Sequence, residues 1–174
     1  IDHHYAHTLS FWPMKVKPTI HFVFDGFGDD WMYRSVWRDD KLIDYGKTPS
    51  NVPIMEVGSP SLGFIMTRMG AALQLGGHYL DQAGKIMALK AFGKHNADVN
   101  KEGIDIDSLD KMWDFMVIDQ HLNDQQYIID YIHTAHEYTE EIYLKHFQKF
   151  IEPDDIVGYS GGVAQNTIIN KVLK

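Results

Sequence analysis

Residues 20–30 read IHFVFDGFGDD, and this stretch decides the fold. Its first five residues are β-branched or aromatic apart from one histidine, a composition typical of a strand. The Asp25-Gly26 pair breaks the strand, and residues 31–37 return to a strand-like composition. The stretch therefore predicts a β-hairpin, and residues 41–45 predict a third antiparallel strand.

Helices are predicted before and after this meander. Apolar residues recur at helical spacing in five segments, and such apolar faces favour packing onto a core. The five segments are 2–12, 60–75, 82–92, 109–116 and 128–147. We assign the start of the second to Ser59 as cap with Pro60 in the first turn, and its end to Gly76-Gly77. This order of elements predicts an α/β domain.

The last unit of the chain reads as strand, glycine turn and helix. Residues 156–160 form the predicted strand, and a helix is predicted from Val163 onwards. A turn of this kind directs backbone N–H groups and a positive helix end towards one spot. Ser160-Gly161-Gly162 is therefore a candidate anion cradle, and a purely structural tight turn is the alternative.

The composition limits the classes of function. The chain has 174 residues, 44% of them hydrophobic, and no cysteine, so any metal must be held by His, Asp or Glu. A formal net charge of -8 gives no general attraction for nucleic acid or anionic lipid. No apolar run approaches the roughly 20 residues of a membrane span, and the first residues do not form a signal peptide. We expect a cytoplasmic protein with small-molecule ligands and without nucleic-acid or membrane partners.

The first helix carries a possible metal site. His3 and His7 are four residues apart, which places both imidazoles on one helical face within reach of a single ion. His4 points in another direction. An ordinary surface pair is the alternative interpretation of this spacing.

Two more glycine motifs are candidates for binding phosphate. Asp25-Gly26-Phe27-Gly28 would let a backbone approach an anion closely because glycine has no Cβ, although turn statistics favour the alternative of a simple hairpin turn. Gly84-Lys85 puts a lysine near the start of a helix. No G-x-S-x-G frame and no P-loop is present, so neither a serine hydrolase nor a P-loop nucleotidase is indicated.

Taken together, the motifs follow one order: His-His-x-x-His, strand with Asp-Gly hairpin, Gly-Lys-x-Met helix and Ser-Gly-Gly-Val-Ala-x-Asn. That order resembles the carbamoyltransferase family, which includes the nodulation and antibiotic-tailoring O-carbamoyltransferases. The resemblance runs from His3 to Asn170 and implies an incomplete actin/hexokinase/Hsp70-like (ribonuclease H-like) nucleotide-binding fold.

The resemblance also implies a role for each matched residue. His3 and His7 would be metal ligands for Fe²⁺, or for another divalent ion such as Zn²⁺ or Mn²⁺, and His4 would take the proton of the acceptor. The implied contacts to ATP or AMP come from the glycine motifs and the asparagine helix, at Asp25, Gly26, Gly28, Gly84, Lys85, Ser160, Gly161, Gly162, Asn166 and Asn170. The third metal ligand is expected to be an aspartate beyond Lys174.

The implied reaction takes carbamoyl phosphate and ATP to carbamoyl-adenylate, from which the carbamoyl group passes to the hydroxyl of a small-molecule acceptor. Residues 1–174 would be a fragment of the metal- and nucleotide-binding domain, without the C-terminal carbamoyl-activating domain, and inactive alone. Two alternatives stay open: a protein similar to the tRNA threonylcarbamoyladenosine synthase, whose His-His-x-x-His and Ser-Gly-Gly motifs also fit, and an inactive truncated nucleotide-binding module.

Overall fold

The computed structural model describes residues 2–15, 17–48, 60–78 and 81–173. These residues form one four-stranded sheet with helices against both of its faces. In chain order the elements are α1 (His3–Leu9), β1 (Ile20–Phe24), β2 (Met32–Arg38), β3 (Lys41–Lys47), α2 (Leu62–Ala72), α3 (Gln82–Leu89), α4 (Phe115–Gln120), α5 (Gln125–Gln148), β4 (Val157–Ser160) and α6 (Thr167–Val172).

The sheet has the strand order β3-β2-β1-β4. β1 pairs antiparallel with β2, and β2 pairs antiparallel with β3, so the predicted meander is confirmed. β4 joins the other side of β1 in the parallel direction, with Phe22 opposite Tyr159. The carboxyl ends of β1 and β4 therefore meet at one edge, where Asp25 and Gly161 follow directly.

The two faces of the sheet bury different residues because side chains alternate along each strand. One face carries Phe22 and Phe24, which stack on Phe147 of α5 with ring centroids 4.0 and 6.0 Å apart. The opposite face carries His21 and Ser35, and α1 packs there. The hydrophobic core lies on the α5 side and continues into α2, α3 and α4.

Several predicted boundaries need correction. α2 begins at Leu62 after Ser61, Pro60 lies before the helix, and Ser59 is outside the described residues. α2 ends at Ala72, before Gly76-Gly77. The single helix predicted over 109–116 is instead a short 3-10 turn followed by α4.

The unit after β4 also differs from the prediction. A 3-10 turn occupies Gly162–Gln165, and α6 begins only at Thr167. The reason is Asn166, whose Oδ1 accepts hydrogen bonds from the N–H groups of Ile168 and Ile169, each at 3.1 Å. Such a side-chain cap starts a helix one residue after the asparagine.

The mixed sheet and its helices confirm the α/β class. Within the described ranges, none of the helices combines the length and the apolar character that a membrane crossing requires.

Candidate metal centre and adjoining cleft

α1 is held at a defined position against the sheet. Asp2 caps the helix through a hydrogen bond from the Tyr5 N–H at 2.9 Å. The N–H of His3 donates to the carboxylate of Asp29 at 2.9 Å, which ties the helix start to the loop after β1. These contacts direct the His3/His7 face of α1 towards the carboxyl end of β1.

His3 and His7 converge on one carboxylate. The Nε2 atoms of both rings lie 2.9 Å from the same oxygen of Asp25, Oδ2. The two ring centroids are 4.8 Å apart, and one donor atom from each of the three residues lies within 4.8 Å of the others. In the described parts of the chain, this is the one set of three histidine or carboxylate side chains that meets this distance condition.

The surroundings keep Asp25 ionised. Partial burial alone would raise its pKa, but hydrogen bonds from His3, from the Gly26 N–H and from His7 outweigh this effect and hold the pKa of Asp25 below its usual value. The Gly26 N–H donates to the other carboxylate oxygen at 2.7 Å. That bond fixes the carboxylate plane and leaves Oδ2 directed at the histidines.

The donor set fits a divalent transition metal. Two imidazole nitrogens and one carboxylate oxygen suit Fe²⁺, Zn²⁺ or Mn²⁺, and the partial exposure of His3 and Asp25 leaves room for further ligands. The resemblance implied a carboxylate from beyond Lys174 as the third ligand. Asp25, predicted only as a nucleotide contact, instead stands beside both histidines within this chain.

The structure places His4 differently from the prediction. Its side chain is fully buried between α1 and β2, with Nδ1 2.8 Å from Ser35 Oγ and Nε2 3.0 Å from the Met32 carbonyl oxygen. Burial lowers the pKa of His4, against the opposing effect of the Met32 hydrogen bond. Both ring nitrogens are hydrogen-bonded and no surface of the side chain is exposed, so His4 cannot reach an acceptor hydroxyl. The predicted role of His4 as proton acceptor was wrong. His4 anchors α1.

A cleft of about 690 Å³ adjoins the cluster and shares Asp25 with it. It lies at the carboxyl ends of β1 and β4, where open α/β sheets commonly bind ligands. Its walls come from four places in the chain: the turn after β1, α2, the start of α3 and the turn after β4. Five of the residues predicted to contact nucleotide line it, namely Asp25, Gly26, Gly84, Gly162 and Asn166.

The predicted glycines divide into two groups. A Cβ at Gly26 or Gly84 would meet nothing within 4 Å, so these positions leave space for a ligand. A Cβ at Gly28 would lie 2.3 Å from the His4 ring, and one at Gly161 would lie 2.2 Å from the Phe24 carbonyl oxygen. Gly161 also has φ +95°. Gly28 and Gly161 are therefore required by packing, not by an approaching phosphate.

Ser160 and Lys85 do not line the cleft. Ser160 Oγ lies 2.9 Å from His21 Nε2 and donates to the His7 carbonyl oxygen at 3.3 Å, so it ties β4 to β1 and α1. Lys85 Nζ donates to the Leu75 carbonyl oxygen at 3.0 Å and to that of Gly76. This lysine closes the turn after α2, and its predicted contact with phosphate does not agree with this position.

The two asparagines predicted to contact nucleotide also differ in whether they border the cleft. Asn166 borders the cleft but uses its Oδ1 as the cap of α6. Asn170 donates to the Ala164 carbonyl oxygen at 2.7 Å and lines a separate groove beside α5. Asn170 is therefore away from the cleft.

Comparison with protein-family models, with curated proteins and with solved structures finds no match for this chain.

Proposed function

We propose that this chain carries the transfer site of an ATP-dependent carbamoyltransferase, built on an actin/hexokinase/Hsp70-like fold and working in the cytoplasm. One observation carries the proposal: His3 and His7 share the Asp25 carboxylate at the wall of a cleft that has open glycine positions. The order of the sequence motifs indicates the class of reaction. The His3/His7/Asp25 cluster and the cleft provide the residues that would carry it out.

The charge of the cleft supports a metal-dependent reaction. Among the described residues, its lining includes two carboxylates, Asp25 and Asp81, and no lysine or arginine. A nucleotide phosphate in this cleft therefore needs a cation that the lining side chains do not supply. The His3/His7/Asp25 cluster is where a divalent ion could be held.

The proposed reaction moves a carbamoyl group from carbamoyl-adenylate to an acceptor hydroxyl. The acceptor oxygen bonds to the carbamoyl carbon, the bond from that carbon to the AMP oxygen breaks, and the hydroxyl proton leaves to solvent. A bound divalent metal supplies Lewis acidity, which polarises a carbonyl or phosphoryl oxygen. His3, His7 and Asp25 would hold the ion, and the His4 contacts with Ser35 and Met32 keep α1 oriented.

The test follows the carbamoyl group. The chain, loaded with Fe²⁺ under anaerobic conditions, is given ¹⁴C-carbamoyl-adenylate formed from carbamoyl phosphate and ATP by a separate activating domain. Hydroxyl-bearing small molecules serve as acceptors, and AMP release and labelled carbamate ester are measured. We expect both products to depend on the metal and to disappear in Asp25→Asn. A metal-loaded, folded chain that forms neither product with any acceptor would contradict the proposal and favour an inactive module.

A second measurement tests the cleft alone. Gly26→Val fills an open position in the cleft, and Ala88→Val adds similar bulk at an exposed position of α3 outside the lining. We expect Gly26→Val to weaken AMP binding about tenfold or more and Ala88→Val to leave it unchanged, as measured by calorimetry. Equal AMP affinity in the two folded variants would show that nucleotide binds elsewhere.

A further inference from the structure

A second cavity, of about 470 Å³, lies on the other side of α1 from His3 and His7. Aromatic side chains dominate its lining, and we call it the aromatic pocket. Tyr5 and Trp37 form one wall with ring centroids 5.3 Å apart, and Phe11 meets His21 edge to face at 4.8 Å. Trp12 stands at the opening with 80% of its surface exposed. The residues that line this pocket belong neither to the His3/His7/Asp25 cluster nor to the cleft beside it.

The rim of the aromatic pocket is acidic. Asp39 and Asp40, in the turn between β2 and β3, both line it. Lys17 pairs with Asp40 at 2.6 Å, whereas the Asp39 carboxylate makes no hydrogen bond or close ion pair with the described residues and interacts with Lys17 and Arg38 only at longer range. His21 adds no positive charge at neutral pH because burial lowers its pKa to about 4. An excess of negative charge therefore faces the aromatic rings.

Four neutral polar groups of the aromatic pocket already have partners in the protein, whereas the Tyr5 hydroxyl and the Trp12 indole N–H make no hydrogen bond with the described residues. The Trp37 indole N–H donates to Ser35 Oγ at 2.7 Å, and the His21 ring is bonded to Ser160. Thr8 donates to the Tyr5 carbonyl oxygen at 2.7 Å, and Thr19 donates to Asp155 at 2.7 Å. A sugar needs several free hydrogen-bonding groups, and this lining offers few besides the Asp39 carboxylate.

We propose that the aromatic pocket binds a small organic cation, an ammonium group carried on an apolar or ring-shaped body. The π faces of Tyr5, Trp12 and Trp37 attract a cation, and the Asp39 carboxylate adds a charge of opposite sign. The apolar body fills the space between the rings. This inference does not depend on the metal or on carbamoyl transfer, since the aromatic pocket and the His3/His7/Asp25 cluster lie on opposite sides of α1.

The four tryptophans of the chain provide the readout. The 174-residue chain labelled with ¹⁵N is titrated with benzyltrimethylammonium, and the indole N–H signals are followed by NMR. We expect the signals of Trp12 and Trp37 to shift and saturate together. The signals of Trp31, packed against Phe27, and of Trp113, bonded to Thr139, should stay in place. A uniform shift of all four would contradict a defined site.

Two variants with matched controls separate the contributions of charge and ring. Asp39→Asn removes the charge and keeps a residue that tolerates its positive φ of 49°, and Asp119→Asn is the control at an exposed carboxylate elsewhere. Trp12→Ala removes a ring, and Phe92→Ala, at a side chain 71% exposed, is its control. We expect each pocket variant to raise the dissociation constant roughly two- to fivefold and each control to leave it unchanged.

Neutral and anionic probes decide the ligand class. Benzyl alcohol and phenylacetate keep the ring and lose the positive charge, and both should bind at least about threefold more weakly than benzyltrimethylammonium. Equal affinity for benzyl alcohol would overturn the proposal in favour of an apolar pocket without charge preference. Saturable binding of methyl glucoside, with no shift from benzyltrimethylammonium, would overturn it in favour of a carbohydrate site.

Discussion

α1 and α5 each carry three histidines, yet the structure gives them different surroundings. On α1, His3 and His7 face the Asp25 carboxylate beside an open cleft. On α5, His136 is fully buried against Trp113. Its ring nitrogens make no hydrogen bond with the described residues, and Nδ1 lies 3.5 Å from a carboxylate oxygen of Glu140. His146 packs against Phe24 and Phe150.

The difference lies in what packs against each helix. α1 meets the end of a strand, where the backbone turns and a carboxylate can be presented from a second element. α5 lies across the middle of the sheet, where Phe22 and Phe24 require apolar partners. Histidine spacing on a helix therefore defines which rings share a face, and the neighbouring element decides whether that face meets a carboxylate beside a cleft or fills a core.

The largest expected effect is on metal binding. His3→Ala, His7→Ala and Asp25→Asn should each weaken Fe²⁺ or Mn²⁺ binding more than about a hundredfold, because each removes a direct ligand. His133→Ala and His136→Ala on α5 should bind as the unchanged chain does. Metal content after dialysis, measured by mass spectrometry, distinguishes these outcomes. Full metal occupancy in a variant that carries both His3→Ala and His7→Ala would contradict the proposal that the α1 histidines hold the ion.

The next effect concerns the anchoring histidine of α1. His4→Ala should lower the free energy of unfolding by about 2–3 kcal/mol, because it leaves a cavity and removes two buried hydrogen bonds, one with Ser35 and one with the Met32 carbonyl oxygen. Urea denaturation gives the value. His133→Ala, at a less buried ring of α5, should cost less than about 1 kcal/mol and serves as the control. A similar loss for both would mean that His4 is not an anchor.

Acid should destabilise the fold through the α5 histidines. Burial lowers the pKa of His136 to about 3 and that of His146 to about 4, below the value near 6.5 in the unfolded chain. The unfolded state therefore binds more protons below pH 6.5. The free energy of unfolding should be highest above pH 6.5 and should fall by about 1 kcal/mol per pH unit for each histidine as the pH drops towards 4. Urea denaturation at pH 7.5, 6.5 and 5.5 should show this slope. Burial also lowers the pKa of His21, to about 4, and that of His4, so a His136→Leu/His146→Leu variant should reduce the slope without abolishing it. An unchanged slope would assign the whole effect to those other groups.

The smallest effect is expected for His136→Leu at neutral pH. Leucine fills similar space and removes two buried nitrogens that make no hydrogen bond with the described residues, but it also removes the 3.5 Å contact of Nδ1 with the Glu140 carboxylate. The free energy of unfolding should therefore change by less than about 1 kcal/mol in either direction. Thermal and urea unfolding report the change. A loss above about 2 kcal/mol would show that the ring makes a polar contact that a leucine cannot replace.

The fold was predictable where local pattern and tertiary packing agree. The strand 20–24 was predicted with its observed bounds because its composition and the following Asp-Gly turn are both local signals. The predicted start of α2 and the predicted single helix over 109–116 were wrong because helix ends and short 3-10 turns depend on a few local hydrogen bonds. The parallel pairing of β4 with β1 joins residues more than 130 positions apart, and local composition carries no signal for it.

The candidate site was predictable in part. The helical spacing of His3 and His7 predicted their shared face, and the structure brings them together. Asp25 was missed as their partner because it belongs to a different element, although its position at the end of a strand was a usable signal. Lys85, Ser160 and Gly161 were assigned to phosphate contact because their motifs look the same whether they face a ligand or the protein's own backbone.

By itself, the sequence determined the α/β class, the antiparallel meander and the pairing of His3 with His7, since each follows from residue types and spacings along a short stretch. Only the tertiary structure decided that Asp25 joins the histidines, that His4 is buried and that Gly26 and Gly161 have opposite surroundings. The physical reason is that a side chain's role depends on the atoms within a few ångströms of it. In this chain those atoms come from β1, β2 and β4, strands that are brought to α1 only by folding.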